Sequence, residues 1–247
     1  RCGIMEMPKN IVLLPANKNI MKKVLFVAIA VFFTLQGFSQ YINESTRKKF
    51  STVFDIYTDI WMDVPDSIDT RTINQGINFL GLYDYRFGKS NFSFAFGAGI
   101  GSHNFYSNGV VVEDTSGNSQ LHPFKSLYPN KNYDRNKISY TYVDIPIEFR
   151  LRTKKDIRAA LGFKFGFLID SHTKYKGDDY LNPESNDYLF VKFKDVPNIE
   201  TFRYGISARF GWKFINLTGF YSLTGLFKKD QGPELYPISV GISLMPF

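Results

Sequence analysis

From Phe50 onward the chain alternates large apolar residues with small or polar ones at a period of two. The clearest stretch is Tyr142 to Asp170, YVDIPIEFRLRTKKDIRAALGFKFGFLID, two segments joined by Thr153-Lys154-Lys155-Asp156. In the second segment Ile157, Ala159, Leu161, Phe163, Phe165, Phe167 and Ile169 share one face. Arg158, Ala160, Gly162, Lys164, Gly166, Leu168 and Asp170 share the other. In the first, Val143, Ile145, Ile147, Phe149 and Leu151 oppose Asp144, Glu148, Arg150 and Arg152. Successive side chains of a strand point to opposite faces, so this pattern predicts two strands, each with an apolar wall and a face of glycine and charge. A water-facing sheet surface gains nothing from glycine, which weakens a strand. Small residues and paired charges suit the crowded interior of a narrow barrel whose apolar wall meets lipid.

The same reading applies along the rest of the chain. Alternating runs occupy Phe50 to Trp61, about Ile73 to Phe87, and Phe92 to Gly101, the last with Ser93, Ala95, Gly97, Gly99 and Gly101 on its inner face. After the central hairpin come Phe202 to Trp212, a run from Ile215 to Thr224, and Tyr236 to Phe247. These are eight strands. Their connections run medium, tight, long, tight, long, tight, medium, with polar loops near 103–137, 173–200 and 227–235. Short turns at one end and longer loops at the other predict an all-β fold: an eight-stranded antiparallel transmembrane up-and-down β-barrel with short periplasmic turns and longer extracellular loops. Side chains fill the interior of an eight-stranded barrel, so no open pore is expected. Pro146 lies mid-strand and cannot donate to a ladder, so a bulge or local break is expected there. Phe247 falls out of phase with Ile242 and Leu244.

Composition changes the picture at the amino terminus. Met21 to Gln40, MKKVLFVAIAVFFTLQGFSQ, has a basic start at Lys22 and Lys23, an apolar run from Val24 to Leu35 and a small-residue exit, the layout of a secretory signal peptide cleaved near Gln40. The apolar run is short for a membrane-spanning helix. The expected organisation is therefore upstream translation outside the fold at 1–20, a signal peptide at 21–40 and a barrel at 41–247. The whole chain has 30 Lys and Arg against 23 Asp and Glu, a formal net charge of +7. Five of those bases and one of those acids precede residue 41, leaving +3 for the rest. With no basic stripe interleaved with aromatics, a nucleic-acid partner is not expected. Aromatic residues make up 17%, including 25 Phe and 15 Tyr, which suits a lipid-facing wall and its girdles. The one cysteine, Cys2, lies in the segment set aside, so no disulfide or thiolate chemistry is expected of the barrel.

The largest chemical constellation is the set of inward charges: Asp55, Asp59, Asp84, Arg86, Asp144, Glu148, Arg150, Arg152, Arg158, Lys164, Arg203 and Arg209. Buried charges cost several kcal/mol each unless paired, so these are expected to form a lumenal ion-pair network, with a narrow channel as the alternative. His103, His122 and His172 map to the outer rim or loops. There His103 and His172 with Asp170 and Ser171 form the alternative of a rim-based lipid-modifying acyltransferase. Asp178-Asp179 reads as a solvated acidic patch. No phosphate loop or paired metal motif is present, so no cofactor, metal site or catalytic residue is assigned.

The signal ending Phe38-Ser39-Gln40, the strand opening Tyr142-Val143-Asp144-Ile145-Pro146-Ile147, the glycine-rich Leu161-Gly162-Phe163 and the terminal aromatic Phe247 resemble the PorT-like small outer-membrane β-barrel family of Bacteroidota-type bacteria. The resemblance covers most of residues 41–247. It implies the bacterial outer membrane, contact with outer-membrane lipid and assembly by the outer-membrane insertion machinery. Some members of that family are linked to protein secretion across the outer membrane, and with no catalytic constellation assigned, a non-enzymatic structural or interaction role is expected. Partners among surface or secretion-complex proteins are expected through loops 103–137 and 173–200.

Overall fold

The structure, a computed structural model, describes residues 11–13, 49–182, 184–185 and 187–245. The signal segment 21–40 with its exit, and Pro246 and Phe247, lie outside the described residues.

Strands β2 (Phe50–Met62), β3 (Gln75–Arg86), β4 (Phe92–Tyr106), β7 (Tyr133–Arg152), β8 (Ile157–Asp178), β10 (Phe202–Trp212), β11 (Ile215–Ser222) and β12 (Tyr236–Leu244) pair antiparallel, each with the next. The ring closes where β12 pairs with β2, from Leu244 opposite Phe54 to Tyr236 opposite Met62. The molecule is thus an eight-stranded up-and-down barrel. Closure matters physically because no unpaired edge of the ring is left to face lipid. The outer wall is apolar: Ile56, Phe79, Phe96, Phe163, Phe210 and Leu217 all point outward and are exposed. The tight turns after β3, β7 and β10 gather at one end, where Asp156 and Lys213 adopt positive φ. The Lys213 amide donates to the Asp156 carbonyl, tying two of these turns together. Short turns mark the periplasmic end and the long connections the extracellular end.

Three features differ from the sequence expectation. The segments 103–137 and 173–200 are not simply loops. β4, β7 and β8 continue beyond the apolar wall, and they are joined by a hairpin of β5 (Gly109–Glu113) and β6 (Ser119–Pro123), one helical turn α1 (Phe124–Leu127), and β9 (Tyr188–Lys194) paired to the end of β8. Their outward residues turn polar there, so the alternation no longer looks like that of a membrane strand.

Of the segment before residue 21 the structure describes 11–13, and there β1 (Ile11–Leu13) pairs antiparallel with β9. β9 is an edge strand, and its free amides and carbonyls accept a partner.

Finally, Pro146 gives the expected local break in the ladder, and the difference is a bulge elsewhere on this strand pair. Pairing between β4 and β7 lapses between Phe96–Ile147 and Gly99–Asp144 and resumes in the same register, while Pro146 stays aligned with Lys164 on β8. The bulge sits higher, where Tyr142 faces Leu168 and Thr141 faces Asp170. Its extra residue reverses the phase of β8, so Asp170, expected inward, points outward and its side chain is 42% exposed.

The lumen is layered. Trp61, Phe105, Tyr140, Tyr142, Phe227 and Leu235 belong to an apolar plug beneath the extracellular connections. A second cluster of Phe124, Tyr175, Val191 and Phe193 lies in the extension. Below the plug is a band of charge, and nearer the periplasm a small cluster of Val53, Leu80, Leu82 and Met245.

The inward glycines make room within the charged band. A Cβ on Gly166 would sit 2.7 Å from Asp144 Oδ1 and 2.8 Å from Arg203 Nε, and one on Gly101 would sit 2.8 Å from Asp144 Oδ2. Gly166→Val is therefore expected to force Arg203 off Asp144 and to lower unfolding stability in urea by about 3 kcal/mol. Gly219→Ala, whose added carbon meets nothing nearer than the Ser239 carbonyl at 4.0 Å, should stay within about 0.5 kcal/mol of the parent.

Candidate functional site

Inward phase on six strands assembles the charges into two ladders that cross the lumen. The lower one starts at Asp84 on β3. Arg150 on β7 donates to both Asp84 oxygens, at 2.8 and 3.0 Å, and through Nε to Glu148 at 2.8 Å. Ser51 on β2 closes the corner, donating to Asp84 at 2.7 Å and accepting from Arg150 at 2.9 Å. Across the bore, Arg209 on β10 reaches Glu148 through Nη1 and Asp55 on β2 through Nη2 at 3.0 Å. Asn78 donates to the same Asp55 oxygen at 3.1 Å.

The upper ladder centres on Arg203, also on β10. Its Nη2 lies 2.9 and 3.0 Å from the two Asp144 oxygens, its Nη1 is 2.8 Å from His103 Nε2, and its Cζ lies over the Tyr142 ring, 4.1 Å from the centroid. A guanidinium only donates, so His103 Nε2 accepts and the ring proton sits on Nδ1, which donates to Asp59 at 2.9 Å. Ser239 on β12 donates to the other Asp59 oxygen at 2.5 Å. Lys164 lies 3.6 Å from Asp144 and 4.1 Å from the centroid of Phe220.

Asp55, Asp59, Asp144, Glu148, Arg150, Lys164, Arg203 and Arg209 are all buried, and Asp84 nearly so. The other three residues of the expected network stand apart from it. Arg86 is exposed. Arg152 pairs with Asp156 in the turn at 2.9 Å, and Arg158 donates to the Met245 carbonyl at 3.1 Å. Their phase is inward, but they sit where the strands run out of membrane, at the mouth of a cavity of about 760 Å³ open to the periplasmic side. Water there removes the need for a buried carboxylate partner.

His103, expected at the rim, lies in the lumen. It continues the inward phase of Gly97, Gly99 and Gly101, and that is the signal the sequence offers. It meets neither His172 nor Asp170. His172 Nδ1 is 2.7 Å from Asp170 Oδ2 on the outer face of β8, above the apolar wall. The hydroxyl of Ser171 accepts instead from the Val196 amide. His122 lies on β6, with Nε2 3.2 Å from the Gln120 side-chain oxygen. Asp179 caps a turn by accepting from the Leu181 and Asn182 amides, and Asp178 accepts from the Asn132 amide. Among the described residues no cluster of His, Cys, Asp and Glu has the arrangement of a metal site.

An apolar outer wall, a charged and occluded lumen, and turns and loops segregated to opposite ends define a membrane β-barrel. The chain belongs to the family described as outer membrane protein beta-barrel domain, whose model matches residues 33–228. Its site is accordingly in the bacterial outer membrane. Among solved structures it is similar to Ail, the attachment invasion locus protein of Yersinia pestis, at 13% identity and a TM-score of 0.36, covering 79% of this chain and 98% of that one. It is also similar to mutants of the Rh. blastica porin, one of them at 9% identity and a TM-score of 0.20, covering 79% of this chain and 99% of the porin. No curated protein matches the sequence.

Arg209→Met is expected to cost about 3–5 kcal/mol, because Asp55 and Glu148 are left buried without their cation. Adding Asp55→Asn and Glu148→Gln should recover most of that loss, read from urea unfolding followed by tryptophan fluorescence. In the extracellular extension, burial first and then Lys192 and Lys174 push His172 down to about 4, against the pull of Asp170. The unfolded imidazole titrates near 6.5, so the unfolded chain binds the proton more tightly and stability falls as pH drops from about 6.5 to about 4. That increment should be missing from the pH–stability curve of His172→Gln.

Proposed function

We propose that the protein is a non-enzymatic envelope component that works through its surfaces, as a structural or interaction partner in the outer membrane and as part of a secretion-related assembly. The observation that carries this reading is the lumen itself. Arg203 and Arg209 tie β10 to β2, β4 and β7 across the bore, and an apolar plug lies over them. A barrel filled in this way offers no path for solute, so its useful surfaces are its two ends. The extension above the membrane is the larger, with the β5–β6 hairpin packed onto the next connection through the Ser119 hydroxyl, which donates to the Pro197 carbonyl. The motif from Tyr142 to Ile147 and the signal-like segment 21–40 support the PorT-like assignment and delivery by the insertion machinery, with cleavage near Gln40.

The non-enzymatic reading is supported by the outer-face His172–Asp170 pair. Among the described residues, His172 Nε2 has no hydrogen-bond partner, so no hydroxyl is activated by it. Purified protein in planar bilayers should show no steady open state. Lipid A mass spectra from a deletion strain should match those of the parent. Affinity capture from solubilised outer membrane should retain a defined partner that is lost when 109–123 is replaced by a short Gly-Ser turn. A steady conductance or an altered acylation pattern would remove the reading.

A further inference from the structure

On the outer face of the extension, just above the apolar wall, four adjacent strands place Tyr106, Lys137, Lys174 and Lys192 directly opposite one another in a single row. The residues that alternate with them settle which way they point. Tyr175, Val191 and Phe193 are buried in the cluster around Phe124, and Ile138 in the plug, so the lysines lie on the outside. Like charges directly opposite on a sheet repel, and three in a row compound the cost. The ion pairs on this face are His172 with Asp170 and Lys176 with Asp134; among the described residues none involves Lys137, Lys174 or Lys192. Lys137 donates to the Asn104 side-chain oxygen at 2.5 Å, a neutral acceptor that leaves its charge in place. Arg71 adds a further cation, 5.0 Å from the centroid of Tyr106, on whose ring Lys137 also sits at 5.0 Å. Burial, with Arg135 nearby, brings the Lys137 ammonium down to about 8. Burial and the neighbouring Lys137 and Lys192 lower that of Lys174 as well. The row carries a repulsion that no ion pair among the described residues relieves.

Its height identifies what would relieve it. The wall is apolar up to Ile100, Val143 and, on β8, Phe167 and the bulge residue Ile169, and the next outward row is Ser102, Thr141 and Asp170. The lysines stand about 13–15 Å above the end of the wall along the barrel axis, taking a rise of roughly 3.3 Å per residue and a tilt of roughly 40°. Lysine side chains at that level point down towards the sugar and phosphate groups that stand above the hydrocarbon. Three neighbouring strands spread the ammonium groups over roughly 10 Å, about the width of a phosphorylated disaccharide headgroup. We propose that Lys137, Lys174 and Lys192 form a binding site for the phosphorylated headgroup of lipopolysaccharide in the outer leaflet. Tyr106 stacks beside the site and Arg71 flanks it. Basic pockets at membrane level recognise anionic headgroups by the same physics.

The test uses the full protein in nanodiscs of zwitterionic lipid, titrated with purified lipopolysaccharide, with the same lipid after enzymatic dephosphorylation, and with inorganic phosphate. Binding is read by native mass spectrometry and stabilisation by the temperature at which the folded gel band is lost. The expected result is at least tenfold tighter binding of the phosphorylated lipid. That preference should disappear in Lys137→Gln/Lys174→Gln/Lys192→Gln. The variant should unfold no earlier than the parent without lipopolysaccharide, since the repulsion is gone. Equal binding of the two lipids by the unaltered protein overturns the proposal, and that comparison stands even if the variant fails to fold. Full stabilisation by millimolar phosphate alone overturns it too, by showing a free-anion site and no lipid site.

Discussion

Arg209 reaches across the bore from β10 to hold Glu148 on β7 and Asp55 on β2, and much of the protein's character follows from that crossing. A barrel held only by its ladder hydrogen bonds fixes neighbouring strands. A charge that spans the lumen fixes opposite walls, and therefore the diameter. Because both faces of Arg209 are met by carboxylates, and Arg150 and Asn78 meet those in turn, each charge has a partner and the desolvation cost is shared through the network. The ladders explain the glycines: Asp144 and Arg203 occupy the space that side chains at positions 101 and 166 would fill. They also explain the wall, since at the level of the charged band the apolar residues are left only the outside.

The vertical order of the molecule reflects the solvents it spans. At the periplasmic mouth, where water enters, Arg86, Arg152 and Arg158 need no buried partner, and they border a cavity. In the membrane, the same inward phase demands complete pairing. Above the membrane both faces change: the interior turns aromatic and aliphatic, like that of a soluble domain, and the exterior turns polar and basic. The bulge at Thr141 and Tyr142 lies at that boundary, where one extra residue in β8 lets a single strand carry the inside-out pattern below and the ordinary pattern above.

How much of this is legible in the residues follows from which interactions are local. Alternation is local: the faces of Phe92 to Gly101 or Ile157 to Phe167 follow from a period of two, and eight such runs with segregated connections define the barrel. The inward charges are legible by the same phase, but their partners are not. Pairing of Asp55 with Arg209 depends on the registers of strands far apart in sequence. The extension escapes a sequence reading because its outward residues, such as Asn104, Lys137 and Lys174, are polar and mimic a loop. His103 is grouped with them on composition, although its odd-numbered phase follows Gly101. Asp170 reads as inward because a bulge leaves no mark in an alternating pattern that happens to run through it.

The crossing pairs have a consequence for the order in which the barrel forms. Asp55 and Arg209 are 154 residues apart, and Ser239 and Asp59 are 180 apart. Until β10 to β12 arrive, a partly built sheet of β2, β3 and β4 holds Asp55 with Asn78 and Asp59 with His103, without Arg209 or Ser239. Lipid offers such a carboxylate nothing in return. A half-closed intermediate therefore leaves Asp55 without its cation. Contacts of such long sequence separation are also slow to form, because loop closure precedes any gain from them. Insertion is pushed towards a single late event in which closing the ring and neutralising the lumen are the same step.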